Sequence, residues 1–211
     1  MARYTGPKEK IERRLKAKLF LKGERSYSPK SATVKRMYPP GMHGKKFARK
    51  MSEFGLQLQS KQKIRNSYRM LEKQFKNWVK KAIKSKEETG SALVKKLEHR
   101  LDNTIYRSGL AQSRDQARQV VNHGHILVNG KKVSIPSYQV RNGDQISVRE
   151  GSMKSKYFSV LVSQWIKQHQ SPSWLETDIN KLTTKIIGIP TIKDSGLESK
   201  DIQSIIEYYS R

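Results

Sequence analysis

The sequence predicts an α+β chain, mainly helical on its N-terminal side, with a small α/β module of helices and short curled strands at its centre. Three observations carry this expectation. Apolar residues recur at helical spacing from about residue 64 to residue 105. Nearly every residue of the stretch Ser113 to Val148 has an assignable local role. The charge is lopsided, with 44 Lys+Arg against 18 Asp+Glu and a net charge of +26.

A chain of 211 residues builds one domain or two small ones, and a hydrophobic content of 35% supports only modest cores. A charge of +26 is self-repulsive in a compact fold, and a polyanionic partner relieves it. Nucleic acid is therefore the leading partner. An anionic membrane is the weaker option, since no long apolar run and no strongly amphipathic terminal helix is visible. The first ten residues, MARYTGPKEK, lack the apolar core of a signal peptide. With no cysteine there is neither a disulfide framework nor a cysteine metal site, which is compatible with a reducing cytosol.

Residues 1–50 read as a basic N-terminal arm: sixteen Lys/Arg face three Glu, a local net charge of +13. Gly6-Pro7, Ser28-Pro29 and Pro39-Pro40-Gly41 punctuate it, and Ile11, Leu15 and Leu19 allow one short helix. Such an arm is either disordered or locally structured and fixed on its partner, and the anchors Tyr4, Phe20, Tyr27 and Tyr38 favour the second. Residues 51–92 read as a helical domain. Ser52 offers an N-cap, and Ile64, Tyr68, Leu71, Phe75, Trp78, Val79 and Ala82 predict one long amphipathic helix whose polar face carries Lys61, Lys63, Arg65, Arg69 and Lys73. Glu87 to Ser91 is a polar break. A third helix, on Leu93, Leu97, Leu101 and Ile105, should end at Gly109.

Residues 93–179 form the module with its closing helix. Ser113 and Gln116 make a capping box, Ala117, Val120 and Val121 supply the apolar face, and Arg114 and Arg118 share another face one turn apart. The helix should stop at Asn122-His123-Gly124. A strand from His125 to Val128 then meets Asn129-Gly130, the dipeptide that best makes a type I′ hairpin turn, and this sets Lys131 and Lys132 beside it. Asn142-Gly143-Asp144 precedes a half-buried strand over Gln145 to Arg149. Tyr157, Phe158, Leu161, Val162, Trp165 and Ile166 predict a closing helix, and Trp174 a packing residue. Residues 180–211 are the C-terminal tail.

The run A-R-Q-V-V-N-H-G-H-I-L-V-N-G-K-K-V, followed by I-P-S-Y, resembles an RNA-binding module found in small-subunit ribosomal protein number four, tyrosyl-tRNA synthetases, some pseudouridine synthases and a heat-shock protein. The flanks decide between them. A-R-Y-T-G-P-K, F-L-K-G-E-R-S-Y-S-P-K and Y-P-P-G-M-H-G resemble the N-terminus of the small-subunit ribosomal protein family number four, bacterial or organellar in type, and P-S-W-L-E and the final Y-Y-S-R agree. The resemblance implies a structural component of the small ribosomal subunit, cytoplasmic or in an organelle stroma or matrix. Such a protein binds the 5′ domain of the small-subunit ribosomal RNA early, at a multi-helix junction. It also implies a tail that returns to the helical domain, a neighbour in small-subunit protein five that affects decoding accuracy, and a place at the mRNA entrance.

Within that frame the RNA-contacting candidates are Arg3, Arg13, Arg14, Lys61, Arg65, Arg69, Arg100, Arg114, Arg118, His123, Lys131 and Lys132. Lys45, Lys46, Arg49 and Lys50 form a further patch that is either the mRNA guide or a generic phosphate contact. Some members of the family carry four cysteines that bind zinc or an iron–sulfur cluster. The corresponding positions here are Glu9, Glu12, Ser26 and Ser31, a poor soft-metal set, so no metal and no cofactor is expected. His123 and His125 have no third ligand near in sequence. His99-Arg100-Leu101-Asp102 is similar to the catalytic aspartate motif of pseudouridine synthases, but it continues Asn-Thr-Ile-Tyr and leaves little chain for a catalytic domain. No phosphate-binding glycine loop is present. The expectation is a non-enzyme, with an RNA-modifying enzyme and a free RNA chaperone as the alternatives.

Overall fold

A computed structural model describes residues 4–47 and 50–210. They fall into two compact units, Met1–Leu93 with Gly196–Arg211, and Val94–Ser195. No helix among the described residues is long and apolar enough to cross a membrane.

The first unit opens with α1 (Lys8–Leu15), α2 (Glu24–Tyr27) and α3 (Ala32–Lys35). Leu15, Leu19 and Leu21 form a small core of their own, with Ile11 and Ala17 against it. The basic segment is thus folded locally, and its charge lies around an apolar knot. Next come α4 (Glu53–Ser67), capped by Ser52 Oγ accepting from Gly55 N at 3.2 Å, and α5 (Glu72–Ile83).

The single long helix expected here is two. Arg69 takes the left-handed conformation (φ 55°), and its guanidinium donates to the Tyr4 carbonyl at 3.0 Å. The turn puts Tyr68 and Met70 in the core beside Ile64 and Phe75 and exposes Leu71. Apolar residues on both sides of it keep a spacing of three and four, so periodicity reads straight through the corner.

α6 (Thr89–Glu98) leads into the second unit and α7 (Leu101–Arg107) follows. Here too an expected continuous helix is broken. Arg100 is extended (φ −70°, ψ 134°) and bridges to Gln139. Leu101 N and Asp102 N donate to the Tyr138 and Pro136 carbonyls, and Val140 N donates to His99 O. The competing partners lie some 35 residues downstream, beyond any local signal.

α8 (Arg114–Asn122) begins at its Ser113 cap, with Gln116 N on Ser113 Oγ at 3.3 Å, and ends where Gly124 turns left-handed (φ 72°). The reciprocal bond of the capping box lands one residue early, with Gln116 Oε1 accepting from Gln112 N at 2.9 Å. β1 (Ile126–Val128) and β2 (Lys131–Lys132) flank Asn129-Gly130, both at positive φ as a type I′ turn requires. β3 (Gln145–Val148), the short α9 (Glu150–Met153), a π turn (Tyr157–Leu161) and α10 (Val162–Ile166) follow. β4 (Leu175–Asp178), β5 (Thr183–Ile186) and α11 (Ile192–Ser195) complete the unit.

The sheet is antiparallel throughout, in the order β2-β1-β3-β5-β4. Leu101, Ile105, Val121, Ile126, Ile146, Phe158, Val162, Trp174 and Ile186 form its core. The tail expected to leave the module at residue 180 departs later, because Thr184 and Ile186 are buried as β5, in register with β3 and β4. Only α12 (Ser199–Ser210) belongs to the first unit, along α4. Ser60 and Lys63 bond Asp201 at 2.8 and 2.6 Å, and Tyr209 donates to Glu72 at 2.8 Å.

Candidate nucleic-acid interface

In the second unit the hairpin dictates the site. A two-residue turn leaves Lys131 and Lys132 on an edge strand with both side chains exposed. Lys132 crosses Gly124, where any side chain would collide with it. His123 is exposed at the end of α8. Arg149, its amide bonded to the His125 carbonyl at 2.8 Å, adds another exposed cation. Arg114 is half-buried: its Nε donates to Asn103 Oδ1 at 2.8 Å and its guanidinium lies 4.6 Å from the Tyr106 ring centre. It fastens α8 to α7 while keeping part of its surface in water.

Burial removes four of the expected RNA contacts. Arg100 is fully buried and makes a two-pronged ion pair with Asp102, at 3.0 and 2.6 Å. Arg118 is 2% exposed, so the arginine face of α8 divides into an outer Arg114 and an inner Arg118. Lys61, 4% exposed, bonds Glu72 at 2.7 Å and lies 4.7 Å over the Tyr208 ring. Arg69, also buried, holds Tyr4. Each expectation came from a residue's charge, and each cation has a partner inside the fold.

In the first unit, Arg14 and Arg65 line one cavity of about 490 Å³ with Tyr4, Lys10 and Asn66. Arg13 is turned inward: its Nε donates to the Arg36 and Tyr38 carbonyls at 3.0 and 3.1 Å, and its guanidinium lies over the Tyr38 ring at 4.8 Å. Lys45 Nζ stands 5.4 Å from the centre of the same ring and is exposed, as are Lys46 and Lys50. Arg3 and Arg49 lie outside the described residues.

Glu9, Glu12, Ser26 and Ser31 do not suit a soft metal. Glu12, 1% exposed, accepts from the Leu19 and Leu21 amides at 3.1 and 3.3 Å. Ser26 Oγ accepts from Lys22 N at 3.1 Å, Ser31 Oγ meets Thr33 Oγ1 at 2.8 Å, and Glu9 pairs with Arg25 at 3.2 Å. All four offer hard oxygens already engaged with backbone or side-chain partners, a poor set for a soft metal. Burial pushes the Glu12 carboxyl above its ordinary range against the pull of the two amides.

The fold also groups residues that the sequence leaves separate. Gln116, Gln119, Val120 and His123 share one face of α8 at i, i+3, i+4 and i+7, and they border a cavity shared with His125, Ser155, Tyr157 and Phe158. That spacing was the available signal, but Gln116 reads as a capping residue, Val120 as core and His123 as a lone RNA contact, so the sequence does not join them into one face.

A short capped helix, a tight hairpin and exposed cations on rigid elements are the features of a small RNA-binding module. Residues 99–146 match the family model described as "S4 domain", and residues 3–98 match "Ribosomal protein S4/S9 N-terminal domain". Three relatives, each named small ribosomal subunit protein uS4, align over the whole of both chains: 47% identical in Kosmotoga olearia, 47% in Clostridioides difficile and 46% in Thermus thermophilus. The chain belongs to the uS4 family of small ribosomal subunit proteins.

Proposed function

We propose that this chain is a structural, non-enzymatic component of the small ribosomal subunit that binds its ribosomal RNA in the 5′ domain and fixes a multi-helix junction there. The observation that carries the reading is the full-length 46–47% identity to proteins of that name, together with a hairpin whose two exposed lysines sit on a rigid, capped helix and sheet. Duplex RNA hides its major-groove base edges, so selection rests on the spacing of phosphates and 2′-hydroxyls. Rigidly held Lys131, Lys132, His123 and Arg149, with the outer part of Arg114, suit that task in the second unit. Arg14 and Arg65 do so in the first, and Arg3 and Arg13 remain further contacts in this reading on their charge alone.

Lys45, Lys46, Arg49 and Lys50 serve in this reading as the contact to messenger RNA at the entrance. Small-subunit protein five is the expected protein neighbour, and the cytoplasmic or organellar ribosome the location. Asp102 is taken up by Arg100 and buried, which speaks against the RNA-modifying alternative. The test is fractionation: small subunits pelleted through high salt should carry about one copy of the chain each. A chain left in the supernatant would favour the free chaperone.

A further inference from the structure

We propose that the cavity between α8 and the π turn receives one unstacked nucleotide of the bound RNA, its base enclosed in the cavity and its phosphate at Lys132 and Arg149. The proposal rests on the RNA-binding reading above and adds a specific pocket to it. The cavity encloses about 320 Å³, at the lower end of the roughly 300–1,000 Å³ range of small-ligand sites. Its apolar wall is Val120 and Phe158, 6% and 3% exposed. The His125 ring meets Phe158 edge-on at 5.9 Å and is fixed by a 2.9 Å bond between Nδ1 and Ser152 Oγ. The partly exposed His125 and Tyr157 rings beside this apolar wall suit a flat heteroaromatic ring.

The rim supplies what a base edge asks for. The Gln119 amide is exposed and has no partner among the described residues, offering a donor and an acceptor together. Gln116 uses its carbonyl oxygen on Gln112 N and keeps its NH₂ group for a ligand. His125 Nε2 is likewise without a partner among the described residues. Basic residues lie near the histidines: His123 has its ring 5.9 Å from that of His125, the Lys132 side chain crosses Gly124 between them in sequence, and the Arg149 amide is hydrogen-bonded to the His125 carbonyl. A π turn within a helical run costs backbone hydrogen bonding and recurs at functional sites, and here it presents Tyr157 and Phe158 to the cavity. Metal binding does not account for the pair of histidines, because no group of three suitable ligands occurs among the described residues.

The site lies on the face of α8 opposite Arg114 and Arg118, so its use can be separated from theirs. The experiment is base-specific chemical probing of the small-subunit ribosomal RNA 5′ domain, bound to the full chain or to the variants Gln119→Leu and His125→Ala. Gln119 is exposed, so its variant folds. The expected result is one nucleotide whose Watson–Crick edge is protected by the wild type and reactive with both variants, the rest of the footprint unchanged. Affinity should fall about tenfold with the same salt dependence, since a base and not a phosphate is released. Identical footprints and affinities for wild type and variants overturn the pocket and leave the RNA-binding reading intact. No footprint from the wild type overturns both.

Discussion

Replacing Asp102 by Ala removes the two-pronged carboxylate partner of Arg100 in the core of the second unit. Arg100 is 0% exposed and Asp102 4%, and the two bonds between them, 3.0 and 2.6 Å, satisfy the carboxylate from one side. Removing one member of a buried ion pair costs about 3–5 kcal/mol. In a unit of this size each kcal/mol is worth about 4–8 °C, so the melting temperature should fall on the order of 20 °C. Replacing both residues, Arg100→Met with Asp102→Leu, removes the buried guanidinium together with the carboxylate and should return most of that loss, because apolar residues of similar volume are as good as a buried pair or better. Thermal unfolding by circular dichroism on the single and double variants reads the cycle directly. A loss under about 1 kcal/mol for Asp102→Ala, or a double variant no more stable than the single, would refute the assignment of Asp102 to the fold. That outcome would return the aspartate to the pool of candidates for chemistry.

Glu12→Ala leaves the Leu19 and Leu21 amides without an acceptor and should destabilise the first unit by about 1–3 kcal/mol in urea titration, whereas Glu12→Gln keeps the acceptor and should be nearly neutral. Because burial raises the Glu12 carboxyl, its contribution is fullest at low pH and is lost as pH rises through the raised value, a dependence that Glu12→Gln should abolish in stability measured across acid pH. Glu72 behaves oppositely. Burial raises it, but Lys61, Tyr209 and Arg65 outweigh that and hold it low, so its contribution is present above about pH 4.5 and fades on further acidification. Glu72→Gln should shallow the acid limb of the same curve. On the RNA side, Lys131→Glu with Lys132→Glu should lower the slope of log affinity against log salt by about 0.7–1 for each phosphate no longer neutralised, while Lys200→Glu, an exposed control, should leave it alone in filter binding. Charge reversal at Arg118 should unfold the second unit and not merely weaken binding, because that side chain is buried.

The elements with local causes were legible in the sequence. Ser113, Gly124 and Asn129-Gly130 each fix a backbone state within a few residues, and α8, the hairpin and the strand after Asp144 formed as those residues require. What escaped was set by distant partners. The corner at Arg69 depends on Tyr4, the break at Arg100 on residues 136–140, and the inclusion of Thr183–Ile186 in the sheet on pairing with β3 and β4. The interface was legible in the same uneven way. Charge and turn chemistry point to Lys131 and Lys132, but a sequence cannot tell an outward arginine from an inward one, as Arg114 and Arg118 show. The cavity beside α8 needed the fold, since its far wall comes from a π turn some forty residues away.

The central claim is that geometry adds selectivity to charge, and a salt-titrated binding assay tests it most directly. The full chain is offered the isolated 5′ domain of small-subunit ribosomal RNA and, separately, an unrelated folded RNA of equal length. A preference for the first on the order of a hundredfold at physiological salt, with similar salt slopes for the two, is the expected result. Equal affinities would contradict it and leave the +26 charge as the whole explanation of binding.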